Sequence, residues 1–307
     1  MMSVKSPETS VLMTSSTQSE ERRQAQVRRR LRRRAGSWLG WGLAWACAGL
    51  VVFALLDLVA TVLVKGITSF RWDMLTTVTH GIAGGLQNAL LGTLWLVLIA
   101  VVIAAPIGVL GGVYLSEFAP ARWARVVRFW TEVLSGVPSI VVGYFVYLLL
   151  VLRCGFGFSA LAAGIALFMI MLPYIVNTTE STLRQVPWAL REGAWALGMT
   201  RFQAVSRVIW RPAAGGIATG LLTSIAVALG ETAPLLYTAG WSSYNPDFHL
   251  THSQVGYLTY VVWTYIEQPY PQAHALAYSA AFILMVVILF IHIAVRTLVR
   301  RWRAGSN

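Results

Sequence analysis

Few residues in this 307-residue sequence are of a type and spacing that does chemistry, and most of those few fall short of a site. Only two lysines occur, Lys5 and Lys65, and neither follows a glycine, so the Gly-Lys-Ser/Thr phosphate loop of an ATPase is excluded. His249 and His252 have a spacing that suits a shared metal on a helix. They stand beside Asn245 and Pro246 with no third ligand near, and no metal is expected there. No serine or cysteine nucleophile adjoins a candidate base, and no carboxylate pair falls inside an apolar stretch. The residues therefore point away from an enzyme and from any cofactor held by this chain. One acid is different. Glu231 is the only acidic residue in the middle of the C-terminal apolar stretches. A carboxylate in so apolar a setting has to face an interior or a water-filled path and find a partner.

The elements that must position Glu231 follow from composition. Hydrophobic residues make up 57% of the chain and charged residues 12%, about half the charged share of an ordinary soluble domain. Six apolar stretches, near 38–64, 86–115, 133–152, 159–177, 216–240 and 274–295, approach or exceed the ~20 residues a helix needs to cross a bilayer. The expected fold is thus an all-α integral membrane bundle of six transmembrane helices. If the N-terminus is inside, segments 1–37, 116–132, 178–215 and 296–307 are cytoplasmic and hold 21 of the 24 Lys and Arg. That asymmetry places both termini in the cytoplasm.

The same topology accounts for the net charge of +12 without nucleic acid. The arginine run between Arg22 and Arg34 would sit against anionic lipid, each residue contributing about 1 kcal/mol near the surface. Residues 1–20, rich in Ser and Thr with Pro7, read as a disordered tail within a basic segment 1–37. Cys47 and Cys154 fall on opposite sides of the bilayer, too far apart for a disulfide. Gly108 with Gly112, and Gly216 with Gly220, have the small-xxx-small spacing that lets helices approach closely.

The long inner loop 178–215 contains Leu190-Arg191-Glu192-Gly193-Ala194-Trp195-Ala196-Leu197-Gly198. Its small residues predict a short projecting helix that seats in a partner's groove, with an acid at its start and Gly198 as a left-handed stop. This stretch resembles the Glu-Ala-Ala loop of ABC importer permeases, with Gly193 in place of the first alanine. The resemblance implies a coupling helix, placed at 191–206, in which Arg191, Glu192, Gly193, Ala194 and Gly198 contact the ATPase.

The likeness narrows to phosphate-importer permeases of the PstA type over residues 86–295. It is carried by Gly112-Val113-Tyr114-Leu115-Ser116-Glu117, by Ser135-Gly136-Val137-Pro138-Ser139, by Gly230-Glu231-Thr232-Ala233-Pro234-Leu235-Leu236 and by Gln268-Pro269-Tyr270-Pro271. It implies the MetI-like fold of type I importers and a bacterial inner-membrane location. It also implies phosphate import by alternating access, with a second related permease, an ATPase dimer that binds the ATP, and an external phosphate-binding protein as partners. Glu231, Thr232, Pro138, Ser139 and Asn177 become candidate path residues. The match is incomplete where the anion would pass. Such permeases commonly carry arginine at the positions of Val227 and Asn177 here. A second permease supplying the cations is the favoured explanation. Import of another oxyanion (sulfate or molybdate) and a non-transporting scaffold in phosphate signalling stay open on the residues alone.

Overall fold

The computed structural model of the chain describes residues 7–304. It divides into two compact units, residues 1–61 and 62–307. The first is formed by α1, Pro7–Ser69, whose C-terminal part continues into the second. The expected irregular tail is helical from Pro7, and residues 1–6 lie outside the described residues. Glu, Gln and Arg are good helix formers, and they occupy much of 18–34. Farther along, Gly40–Ser69 is apolar enough to cross a membrane and its exposed side chains include Trp41, Trp45, Phe53 and Leu55.

In the second unit, a cap of irregular chain with a two-residue hairpin (Thr79–His80 against Ala83–Gly84) precedes α2, Gln87–Val113. A wider π turn, Tyr114–Phe118, prolongs α2. Then follow α3 (Ala121–Gly136), α4 (Ser139–Val146, continuing as wider turns to Arg153) and α5 (Ala160–Arg184). Next come α6 (Trp188–Ala196), α7 (Arg201–Ala204) and α8 (Trp210–Gly230). The chain closes with α9 (Ala233–Thr238), α10 (Leu258–Ile266) and α11 (Pro271–Ala304). Five stretches among the described residues are long and apolar enough to span, and α3 with α4 makes a sixth if that bent pair is one span.

Two of the expected spans are broken. The stretch 133–152 is not one helix, because α3 and α4 meet at a bend of 100°. Pro138 removes an N–H and disfavours the helical region for the residue before it, and Val137 accordingly sits extended at φ −74°, ψ 128°. The stretch 216–240 ends its helix at Gly230. Glu231 is extended at φ −71°, ψ 132°, and the chain restarts as α9 with Pro234 in its first turn. The motif around Glu231 therefore lies in a helix break rather than within a helix.

The core runs through α2, α5 and α8, where Leu96, Ala100, Ala104, Leu167, Met171, Ile175 and Leu229 are buried together. The glycine pairs do what their spacing predicts. A Cβ on Gly108 would fall 2.7 Å from the Ile175 side chain, and one on Gly112 would meet Thr179 and the Val176 carbonyl. Gly216 and Gly220 face Thr182 and Thr178 of the same α5 in the same way. α5 is thus gripped from both sides at backbone range. Gly112→Val is expected to destabilise the bundle by about 1–3 kcal/mol through overpacking. The check is thermal unfolding in detergent, with Gly193→Ala as control, since the space beside Gly193 is open.

Candidate functional site

The two helix breaks face each other. Ser139 opens α4 just past the first break, and its side chain lies beside Glu231 in the second. The Glu231 backbone carbonyl accepts from Thr259 Oγ1 of α10 at 2.8 Å. One turn into α4, Gly143 lies against Pro234 of α9, so close that a Cβ there would clash with the proline backbone. The Val137-Pro138 bend on one side, the Gly143–Pro234 contact and the Thr259 hydroxyl set the position of Glu231. Glu231 and Thr232 are half-buried, Ser139 likewise, and Pro138 is exposed. Among the described residues no Lys, Arg or His forms an ion pair with Glu231. Val227, one helical turn earlier, is partly buried and brings no charge.

Asn177 is not part of this cluster. It is exposed in the C-terminal half of α5, and its Oδ1 accepts from Thr131 Oγ1 of α3 at 3.3 Å. One turn along, Glu180, only 6% exposed, accepts from Arg128 Nε at 2.8 Å and from Arg184 Nε at 3.0 Å. Arg128 sits one turn before Thr131 on α3 as Glu180 does after Asn177 on α5. The cation missing at 177 is therefore present one turn away, on the neighbouring helix, with two guanidiniums against a single carboxylate. Sequence reasoning missed Arg128, Glu180 and Thr131. The only signal available was an acid placed one turn after Asn177 and one turn before Arg184.

The residues of the long inner loop form a second cluster. It is separated from Glu231 by the 30-residue helical run Arg201–Gly230, about 45 Å at 1.5 Å per residue. The short helix exists, but it is α6, Trp188–Ala196, not 191–206. Residues 201–206 already belong to the helical run that leads into α8, restarted by a capping box in which Thr200 and Gln203 bond each other's backbone N–H groups. Glu192 lies one turn inside α6 rather than at its start, exposed, and accepts from Trp188 Nε1 at 2.7 Å. Pro187 precedes the first turn, so the start is set by a proline and not by an acid.

Gly198 stops α6 as expected. Its φ is +76°, its N–H bonds the Trp195 carbonyl at 2.9 Å, and Met199 N–H bonds the Ala194 carbonyl at 3.1 Å. This paired arrangement satisfies two terminal carbonyls and requires the left-handed region. Gly198→Val is expected to cost about 1–2 kcal/mol at that φ and to fray α6, seen as faster amide exchange over 194–199.

Of the expected contact residues, Glu192, Gly193 and Gly198 face solvent, whereas Arg191 and Ala194 are buried at 6% and 3% exposure. Arg191 and Ala194 thus turn inward and do not form part of the projecting surface. The reason is helical periodicity: positions three apart share a face, and here that face is the inner one. α6 and the turn after it instead expose Trp188 and Trp195 on one flank of that stripe and Leu190 and Leu197 on the other. These large apolar side chains were not singled out in the loop's sequence.

In the loop after α9, Asp247 is pulled down to about 2 by hydrogen bonds from His249 and then Ser253. That loop keeps its negative charge at any pH near neutrality. His249 Nδ1 lies 2.9 Å from Asp247 Oδ2, and the described residues contain no cluster of three metal-type ligands.

Comparison with known proteins places this geometry. The family described as "Binding-protein-dependent transport system inner membrane component" matches residues 104–304. A Mycobacterium bovis protein, "Phosphate transport system permease protein PstA 2", is 43% identical over 261 residues, covering 85% of this chain and 86% of the relative. A Xylella fastidiosa "Phosphate transport system permease protein PstA" is 37% identical over 78% of this chain and 84% of its own. Among solved structures, an inward-facing form of the MetNI methionine ABC transporter aligns with TM-score 0.57 and 19% identity. It covers 71% of this chain and 97% of that one, a likeness that concerns the fold alone.

Proposed function

This chain belongs to the binding-protein-dependent transport system inner membrane components, and on that premise we propose that it is the permease subunit through which an ATP-driven importer moves inorganic phosphate. It is a multi-pass inner-membrane transport subunit and not an enzyme. The observation that carries the substrate is its similarity to curated relatives named phosphate transport permeases over more than three-quarters of its length.

α6 is the docking element for an ATPase that binds and hydrolyses the ATP. What supports this is its exposed aromatic face on a helix otherwise held to the bundle. Both termini lie in the cytoplasm, supported by the Lys and Arg asymmetry between loops. An external binding protein delivers the substrate at the opposite side.

The path runs past the two helix breaks, lined by Ser139, Glu231 and Thr232 with Pro138 at the bend. Asn177 stands at the inner exit beside Arg128 and Arg184. This half of the path offers an anion hydroxyl groups but no free cation at Glu231. A second, related permease completes it, its cation meeting the Glu231 carboxylate as the two subunits close. Alternating access then consists of opening and closing the seam at the paired breaks.

The test is ATP-dependent uptake of labelled phosphate by the complex reconstituted in liposomes. Competition by unlabelled phosphate alone supports the reading. Uptake suppressed equally by sulfate or molybdate favours the second reading, a permease for another oxyanion, which Val227 and Asn177 motivate. An ATP-hydrolysing complex that takes up neither sinks both.

A further inference from the structure

α6 has to transmit motion, yet very little of it touches the bundle. Its two covalent connections are turns, one through Gln185–Pro187 and one through Gly198 at positive φ. Of its nine residues only Arg191 and Ala194 are buried, and Ala194 offers no polar group. A cavity of about 550 Å³ opens beside it, lined by Ser116, Glu117, Arg184, Trp188, Arg191 and Arg201 among others. On that side, close packing is replaced by one polar tie.

That tie is Arg191. Its Nη2 donates to Glu117 Oε1 at 2.9 Å and to the Leu183 carbonyl at 2.8 Å, and its Nη1 lies 3.3–3.4 Å from both Glu117 oxygens. Glu117 belongs to the π turn that ends α2 and is itself held by Ser116 Oγ at 2.8 Å. Leu183 lies in the last turn of α5, and its carbonyl also accepts from the Val186 N–H at 3.2 Å. The Trp188 ring of α6 flanks the guanidinium, its centroid 5.9 Å away. Both side chains are shielded, at 7% and 10% exposure. A planar guanidinium with five donors can grip a carboxylate and a carbonyl together in a fixed geometry.

We propose that the Arg191–Glu117 ion pair is the joint that carries movement of α6 into α2 and α5, making both residues positioning residues for transport rather than contacts to the ATPase. The inference rests on α6 being the docking element. It adds a direction of transmission: force enters at the exposed face, crosses one buried ion pair and reaches the end of α2, independently of the chain connection through α7 to α8.

The test uses the complete complex with Glu117→Gln, Arg191→Met and the double substitution. Each single variant is expected to raise the ATP hydrolysed per phosphate taken up by roughly 5- to 10-fold, the low end of usual inter-site coupling. The double variant is expected to be no worse than either single, because the two residues act as one unit. An unchanged ratio in all three, or a double effect equal to the product of the singles, overturns the joint. A second readout does not depend on phosphate. ATP addition is expected to change amide exchange over 113–118 in the unsubstituted complex and to lose that effect in Arg191→Met. If the effect persists in Arg191→Met, the joint is wrong even where no phosphate moves. If phosphate uptake is absent but the exchange effect follows the ion pair, the substrate reading fails and the joint stands.

Discussion

Glu231→Gln is expected to lower phosphate uptake by about 100-fold or more while leaving assembly of the complex intact. The amide has the size of the carboxylate, so the fold of the two breaks is preserved. What it removes is charge. Within this chain Glu231 has no cationic partner among the described residues, so its charge is unbalanced unless the second permease supplies one. If such a cation exists, Gln leaves it unpaired in a low-dielectric site. Breaking a buried pair on one side costs about 3–5 kcal/mol, and each 1.4 kcal/mol is a factor of ten. Glu231→Asp, which keeps the charge but shortens the reach, is expected to retain measurable uptake. The opposite outcome is informative too. Uptake that is unchanged or increased in Glu231→Gln would mean the carboxylate only repels the passing anion, and the cross-subunit pairing would be wrong.

Hydropathy hides the helix break in which Glu231 sits. The six apolar stretches were legible because a bilayer demands length and apolarity, and those demands are written locally. The breaks were written locally as well, in Val137-Pro138 and in Gly230 with Pro234, but window-averaged hydropathy passes over a proline among leucines and valines. Gly198 could be placed because its left-handed stop is a property of a single residue. The bonds that organise the end of the bundle around α6 were not legible. Arg191 meets Glu117 across 74 positions and Arg128 meets Glu180 across 52, and nothing local to either residue names its partner. The inward turn of Arg191 was the costliest miss. A charged residue in a polar loop reads as a solvent contact until the helix phase is known, and the phase depends on where α6 begins.

The other large effect is expected at Glu180. α3 turns Trp123, Phe129 and Trp130 outward, each more than half exposed, so its apolar side is available to lipid. Its polar attachment to α5 is the pair of bonds from Arg128 to Glu180 and from Thr131 to Asn177. Glu180→Ala removes the stronger of these and leaves Arg128 and Arg184 facing each other without a counter-charge. A fully buried network would lose 3–5 kcal/mol. Arg128 and Arg184 are partly hydrated, at 36% and 55% side-chain exposure, so the cost is nearer about 2–3 kcal/mol. That corresponds to a fall in Tm of roughly 5–10 °C in detergent. The loss should be localised, with faster amide exchange in 121–136 and little change in α8. Arg128→Met added to Glu180→Ala is expected to recover part of the stability, since it removes one of the two unpaired cations and supplies an unbranched apolar chain against α5. A double variant less stable than Glu180→Ala alone would mean that Arg128 holds α3 through something other than this carboxylate. If neither substitution alters exchange in α3, the apolar contacts of Ala124 and Val127 with α5 hold that helix without the ion pair.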